Sequence, residues 1–270
     1  MMTVLSLKKS KKSYTVTFKL VDNSSVVFLV SEDIVVEYRL IPGKILEDFA
    51  FQSFKKAVDI DDIFQKTKNY ALRYPQTLAG MEKYLETRLI TTDKIGCVID
   101  KLKENGILND EIYAKNYVEN HFRFHHEGKI KIRFDLRQKG VSETIIDKAI
   151  QVITDQAEIA AMKSVFDRKQ STLKNKPLHR GMMLMKEHLV AKGYDRESAE
   201  AFVIARAGLF HSSTDELSLI KKDYKRLCKQ LGNPTPLDYS QKSKIVRSLM
   251  AKGYSYATIK SQIESGPTDD

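Results

Sequence analysis

The chain has 270 residues, of which 42% are apolar and 30% charged, with a net charge of +10. That is enough apolar mass for a sizeable core, which excludes wholesale disorder. Trp is absent, and the 6 prolines and 12 glycines argue against a loop-rich all-β fold. A surplus of positive charge points to nucleic acid, or a protein already bound to it, as partner. The bland alternative is basicity for solubility alone.

The chain opens with a β pattern. Tyr14, Val16, Phe18 and Leu20 alternate with Thr15, Thr17 and Lys19, the period of a half-buried strand. After the turn formers at 21–25, Val26 to Val30 reads as a second strand of a hairpin, and Thr3 to Leu7 as a third. Ser31 is placed to cap a short helix over Ile34 to Leu40, ended by Pro42-Gly43. Residues 1–44 are therefore expected to form a small β-rich cap. The order of charge and apolar residues at the start is not that of a signal peptide, and no apolar run reaches bilayer length, so cytoplasm is the expected location. Cys97 and Cys228 sit in apolar helical patterns and are expected as small buried side chains, without a disulfide.

From residue 45 the apolar spacing becomes three and four, as in Ile112, Tyr113, Tyr117, Val118 and Phe122. Breaks at 74–75, 104–106, 127–128, 174–177, 211–214 and 232–236 cut the segment into helices of about 10 to 20 residues. The tail 265–270 is expected to fray.

A repeat runs through these helices. Leu136-Arg-Gln-Lys139-Gly140-Val141, Leu189-Val-Ala-Lys192-Gly193-Tyr194 and Leu249-Met-Ala-Lys252-Gly253-Tyr254 are near copies, with Leu85-Glu-Thr-Arg88-Leu89-Ile90 a weaker one. Fifth positions 89, 140, 193 and 253 lie 51, 53 and 60 residues apart. In each copy the Leu packs the last turn of a helix, and the cation suits its negative end. Glycine closes the helix in left-handed backbone, and the apolar residue after it docks on the core. Thr91, Ser142, Asp195 and Ser255 then cap the next helix, where Ile95, Ile146, Ala199 and Ile259 fall at one offset and Ile99, Ile150, Val203 and Ile263 four residues later. A further helix precedes each pair, over 46–73, 109–126, 155–172 and 214–231. The expected fold is mainly α: four three-helix repeats (45–108, 109–154, 155–213 and 214–264) forming an elongated, curved array behind the β-rich cap. A compact bundle of the same units is the alternative.

Catalytic motifs are absent: there is no phosphate-binding glycine loop, HExxH or paired-cysteine pattern. His121 and His125 have metal-ligand spacing at i,i+4, yet no third ligand is identifiable, and histidines suit a helix end. Neither enzyme activity, metal nor cofactor is expected. The basic residues carry more. Lys129, Lys131, Arg133, Arg137 and Lys139 crowd one short helix with only Asp135 against them. Arg180, Lys186 and Lys192 occupy the matching helix of the third repeat, with Glu187 the only acid between the first and last. In the fourth, Lys242, Lys244, Arg247 and Lys252 have no acid between them. Equivalent helices of an array face one way, so these charges are expected to form a stripe that meets phosphates. Ordinary solvated faces are the alternative.

The run Gly106-Ile-Leu-Asn-Asp-Glu-Ile-Tyr-Ala-Lys-Asn-Tyr117 resembles the signature of the RecX family, and 128–141 resembles its basic helix with a Leu-x-x-Lys-Gly ending. Ala71-Leu-Arg-Tyr74 is similar to its entry into the first repeat. The likeness is most specific over 106–152, looser over 45–264, and its strand-rich start is that of the longer Gram-positive members. What the resemblance implies is a non-enzymatic modulator of the RecA recombinase, usually an inhibitor, binding the RecA–single-stranded DNA filament. The expected partners are RecA and that DNA, with no membrane, and the chain acts as a monomer. Carried over by position, the binding residues are Arg73, Lys129, Lys131, Arg133, Arg137 and Lys139. Pro75-Gln-Thr-Leu-Ala-Gly80 departs from the arginine-rich turn of many members. The runner-up reading is a helical protein that binds DNA without a recombinase, since three-helix units can resemble helix-turn-helix modules.

Overall fold

In the computed structural model the described residues are 1–11, 13–210, 213–232 and 236–265. The breaks expected at 211–214 and 232–236 and the tail expected at 265–270 fall wholly or partly outside them.

Strands β1 (Met2–Lys9), β2 (Tyr14–Lys19), β3 (Ser25–Val30) and β4 (Ile45–Leu46) form one antiparallel sheet in the order β3-β2-β1-β4. The alternation seen in β2 is the reason for its burial: Val16 and Phe18 face the core, with Val4 of β1 beside them. Ser31 caps the short helix α1 (Glu32–Glu37), its hydroxyl accepting from the Ile34 amide at 3.4 Å. The helix stops three residues earlier than expected, and Arg39 takes left-handed backbone beyond it. The β-rich layer also does not end at 44. Two residues are too few to show a period, so β4 was invisible in the sequence; its pairing, Met2 with Leu46 and Thr3 with Ile45, comes from β1. The sheet closes on Phe51 and Phe54 from helix α2 (Asp48–Arg73), whose rings lie 5.2 and 5.1 Å from that of Phe18.

The chain divides into two units, Met1–Ala114 with Gln138–Ile145, and Lys115–Arg137 with everything from Ile146. In the first unit α2 runs 26 residues, about 39 Å at 1.5 Å per residue. Its start belongs to the sheet core, whereas Phe64 and Ala71 pack with α3 (Leu78–Glu86) and α4 (Thr92–Glu104) around Met81, Leu85, Val98, Ile99 and Leu102. Cys97 of α4 is exposed, contrary to its expected burial, while Cys228 is buried. On α4 the buried stripe runs through Ile95, Val98, Ile99 and Leu102, and Cys97 falls between its members.

The second unit holds most of α5 (Asp110–His125), α6 (Lys129–Gln138) and α7 (Glu143–Ile150), and all of α8 (Asp155–Gln170), α9 (Leu178–Ala191), α10 (Arg196–Ile204), α11 (Ser213–Gln230), α12 (Tyr239–Lys252) and α13 (Tyr256–Ser265). Among the described residues the helices from α2 onward come as four successive triplets. The repeat predicted from sequence has a common physical basis. Leu85, Leu136, Leu189 and Leu249 are each 0% exposed. The fifth positions all adopt positive φ: Leu89 at 58°, Gly140 at 81°, Gly193 at 92° and Gly253 at 100°. Val141, Tyr194 and Tyr254 then dock into cores, and Ile95, Ile146, Ala199 and Ile259 are buried at the shared offset.

The glycine turns also join repeats. In the first unit the hydroxyl of Thr77, the N-cap of α3, donates to the Lys139 carbonyl at 2.6 Å, and Ala79 fills the space beside Gly140. In the second, the Gly128 and Ile130 amides at the start of α6 donate to the carbonyls of Lys192 and Gly193 at 2.8 and 3.1 Å. Arg180 near the start of α9 lies against Gly253. In each case the first turn of a middle helix sits on the glycine that closes the next repeat's middle helix, so a helix N-terminus meets a helix C-terminus, the favourable dipole order.

Candidate nucleic-acid interface

The basic helix α6 is short and four-sided. Ile132 and Leu136 face the core, which turns Ile130 and Phe134 outward to solvent. On the two flanks the cations meet acids. Lys129 contacts Asp155 at 3.1 Å and Glu158 at 3.0 Å. Arg133 contacts Asp147 at 2.6 Å, and Lys131 lies 2.9 Å from Asp135 and 3.6 Å from Glu127. Burial alone would lower the Lys129 pKa, but its hydrogen bonds to Glu158 and Asp155 raise it overall. The bond to Asp135, helped by Glu127, raises that of Lys131. Behind Lys131, Tyr117 donates to Asp135 at 3.2 Å and stacks on His121 at 3.8 Å, and His121 meets Glu127 at 2.7 Å. The histidine with metal-ligand spacing is thus engaged with a carboxylate. Arg137 and Lys139 are exposed at the end of the helix and beyond it, Lys139 in the first unit, as is Arg73 at the exposed end of α2.

Helix α9 repeats part of this. Lys186 contacts Glu200 at 3.2 Å, with the same 14-residue separation as Arg133 and Asp147. Lys192 donates to the His125 carbonyl at 3.2 Å, and half-buried Arg180 points its guanidinium at the Met183 sulfur, 3.9 Å away. On α12, Lys252 pairs with Asp223, which also accepts from the Tyr254 hydroxyl at 3.0 Å. Lys242, Lys244 and Arg247 are exposed, and Arg247 bonds its own helix at Ser243 Oγ, 3.1 Å away.

Counting acids along one helix therefore overstated the positive character of α6 and understated the contrast with α12. Asp147, Glu158, Glu200 and Asp223 arrive from other helices, and only the fold reveals them. The i,i+4 partners of Lys131, Glu127 and Asp135, were readable from spacing. On α12, Lys242, Lys244 and Arg247 face solvent.

Comparison with known proteins places the likeness. A family model described as RecX, second three-helix domain, matches residues 109–150, the span of α5 to α7. "Regulatory protein RecX" of Streptococcus agalactiae serotype III (strain NEM316) is 28% identical, the alignment covering 97% of this chain and 98% of that one. The chain is similar to RecX proteins over nearly its whole length, and its α5–α7 segment matches their second three-helix domain. The protein of the same name in Lactococcus lactis subsp. lactis (strain IL1403) is 27% identical, with 96% of each chain covered. A solved regulatory protein RecX superposes with a TM-score of 0.65 over 76% of this chain and 100% of its own, at 21% identity, a likeness of fold. The matched stretch is also where the signature resemblance was strongest.

Proposed function

We propose that this chain is a non-enzymatic, cytoplasmic regulator that lowers RecA activity by binding the RecA–single-stranded DNA filament, and so modulates recombination, DNA repair and the SOS response. The observation that carries the reading is the near full-length alignment with proteins named regulatory protein RecX. The four three-helix repeats, 45–108, 109–154, 155–213 and 214–264, are its modules.

Two kinds of surface support it. On α6 the outward Ile130 and Phe134 lie between rows of cations already matched to acids, a surface suited to protein, because its charges are spent internally. On α12 the exposed Lys242, Lys244 and Arg247 suit phosphates. Filament binding needs both protein and DNA contacts, and this chain carries a surface for each. Arg73, Arg137, Lys139, Arg180, Lys186, Lys192 and Lys252 remain candidate contributors, as do Lys129, Lys131 and Arg133 wherever a phosphate displaces their carboxylates.

The test is RecA ATP hydrolysis on single-stranded DNA. The chain should suppress it at or below stoichiometric amounts. Neutralising Lys242, Lys244 and Arg247 to Gln should weaken suppression and flatten its salt dependence, with a log–log slope smaller by about 2 if three phosphate contacts are lost. No effect of the wild-type chain on RecA turnover would dismiss the reading.

A further inference from the structure

Three helices of the second unit end in one place. Lys192, just past α9, donates to the His125 carbonyl at the end of α5. Arg168 in the last turn of α8 approaches His126 Nε2 at 2.8 Å. A guanidinium has only donors, so His126 accepts and is neutral at that nitrogen. The residue is held in left-handed backbone at φ 49°, with the buried Tyr194 hydroxyl bonded to its carbonyl at 2.9 Å.

The cluster is positive throughout. Burial, then Arg168 and Lys192, lower the pKa of His126; burial, then Lys169 and Lys192, lower that of His188. No carboxylate contributes to either shift. Glu127, next in the chain, is turned to His121 and Lys131. Asp167 and Glu187 neighbour Arg168 and His188 in sequence but are exposed and leave both imidazoles unaffected. Cations at helix C-termini are normally explained by the helix dipole. Here three ends supply about −0.5 charge each, and Arg168, Lys169 and Lys192 supply three positive charges. Roughly half the positive charge is left without an internal partner.

We propose that Arg168, Lys169 and Lys192, with His126 and His188, form a phosphate-binding site for the backbone of a single-stranded nucleic acid. The guanidinium fork matches phosphate oxygens, and either imidazole can take up a proton once an anion arrives. Phe124, 71% exposed in the last turn of α5 and two residues before His126, offers an aromatic surface that a base can stack on and an acidic peptide would leave unused. The site adjoins the start of α6, where the Gly128 amide donates to the Lys192 carbonyl, but uses none of the cations of α6 or α12, and its test needs no recombinase.

Fluorescence anisotropy of the full chain with a labelled oligothymidylate of about 20 nucleotides reads it directly. Arg168→Gln with Lys169→Gln should weaken binding about tenfold and reduce the log–log salt slope by about 1.4, since each single-strand phosphate contact contributes about 0.7. Phe124→Ala should weaken binding about fivefold or more with the slope unchanged, because stacking releases no counterions. Histidine titration by NMR should show His126 and His188 pKa values rising on adding the oligonucleotide. Unchanged affinity and slope in the double variant would overturn the site. So would displacement of the label by polyglutamate as effectively as by unlabelled oligothymidylate. Retained oligonucleotide binding with no effect on RecA would count against the proposed function and leave this site intact.

Discussion

The turn between α3 and α4 and the turn between α9 and α10 have the same backbone and opposite surroundings. Both place their fifth residue at positive φ, Leu89 at 58° and Gly193 at 92°. Yet Leu89 is 94% exposed, whereas a Cβ on Gly193 would lie 2.3 Å from that of Lys131 and 2.5 Å from its backbone nitrogen. Helix closure alone tolerates a side chain, at a cost of about 1–2 kcal/mol for left-handed backbone. What demands glycine is the first turn of another repeat's middle helix seated on the turn. The glycine thus marks a junction between repeats as well as a helix end.

This contrast is easily broken. Gly193→Ala should cost about 3 kcal/mol or more, strain and overpacking adding, in chemical denaturation of the full chain. A loss below about 1 kcal/mol would show that the junction yields freely. Gly253→Ala meets Arg180 less closely, 2.8 Å from its Cβ and 3.2 Å from its nitrogen, so about 2 kcal/mol is expected. Acid should separate the two turns next. His126 and His188 have pKa values below the ordinary 6.5, so the unfolded or opened chain takes up protons first. Their contribution is complete above pH 6.5 and is lost as pH falls through the lower folded values. Hydrogen exchange, corrected for intrinsic rates, should show the Gly128 and Ile130 amides, bonded across the Gly193 junction, losing protection below that pH. The Leu89 amide, bonded to the Glu86 carbonyl with no histidine nearby in the chain, should not change. Smallest is Leu89→Gly, a gain of about 0.5 kcal/mol, as relieved strain is partly offset by the freedom glycine adds to the unfolded chain. Destabilisation there would mean that Leu89 makes a contact its exposure does not suggest.

The repeat itself was plain in the chain, because Leu136, Leu189 and Leu249 with their following glycines answer to local rules of helix packing and closure. The hairpin of β2 and β3 and the Ser31 cap were legible for the same reason. Two-residue β4, paired only through β1, and exposed Cys97, one residue off its helix's buried stripe, were not. At the candidate site the lysines and arginines could be named but not their company. Lys186 and Glu200, or Lys252 and Asp223, sit on separate helices, and a linear reading counted the first of each pair as available charge.

The order of residues by itself determined which segments become helices, where each closes, and the likeness to RecX proteins, since these depend on neighbours within a few positions. Only the tertiary structure decided which cations keep their charge for a partner. Electrostatic pairing acts through space over a few ångströms, and the carboxylates that meet Lys129 and Arg133 come from helices a dozen or more residues away.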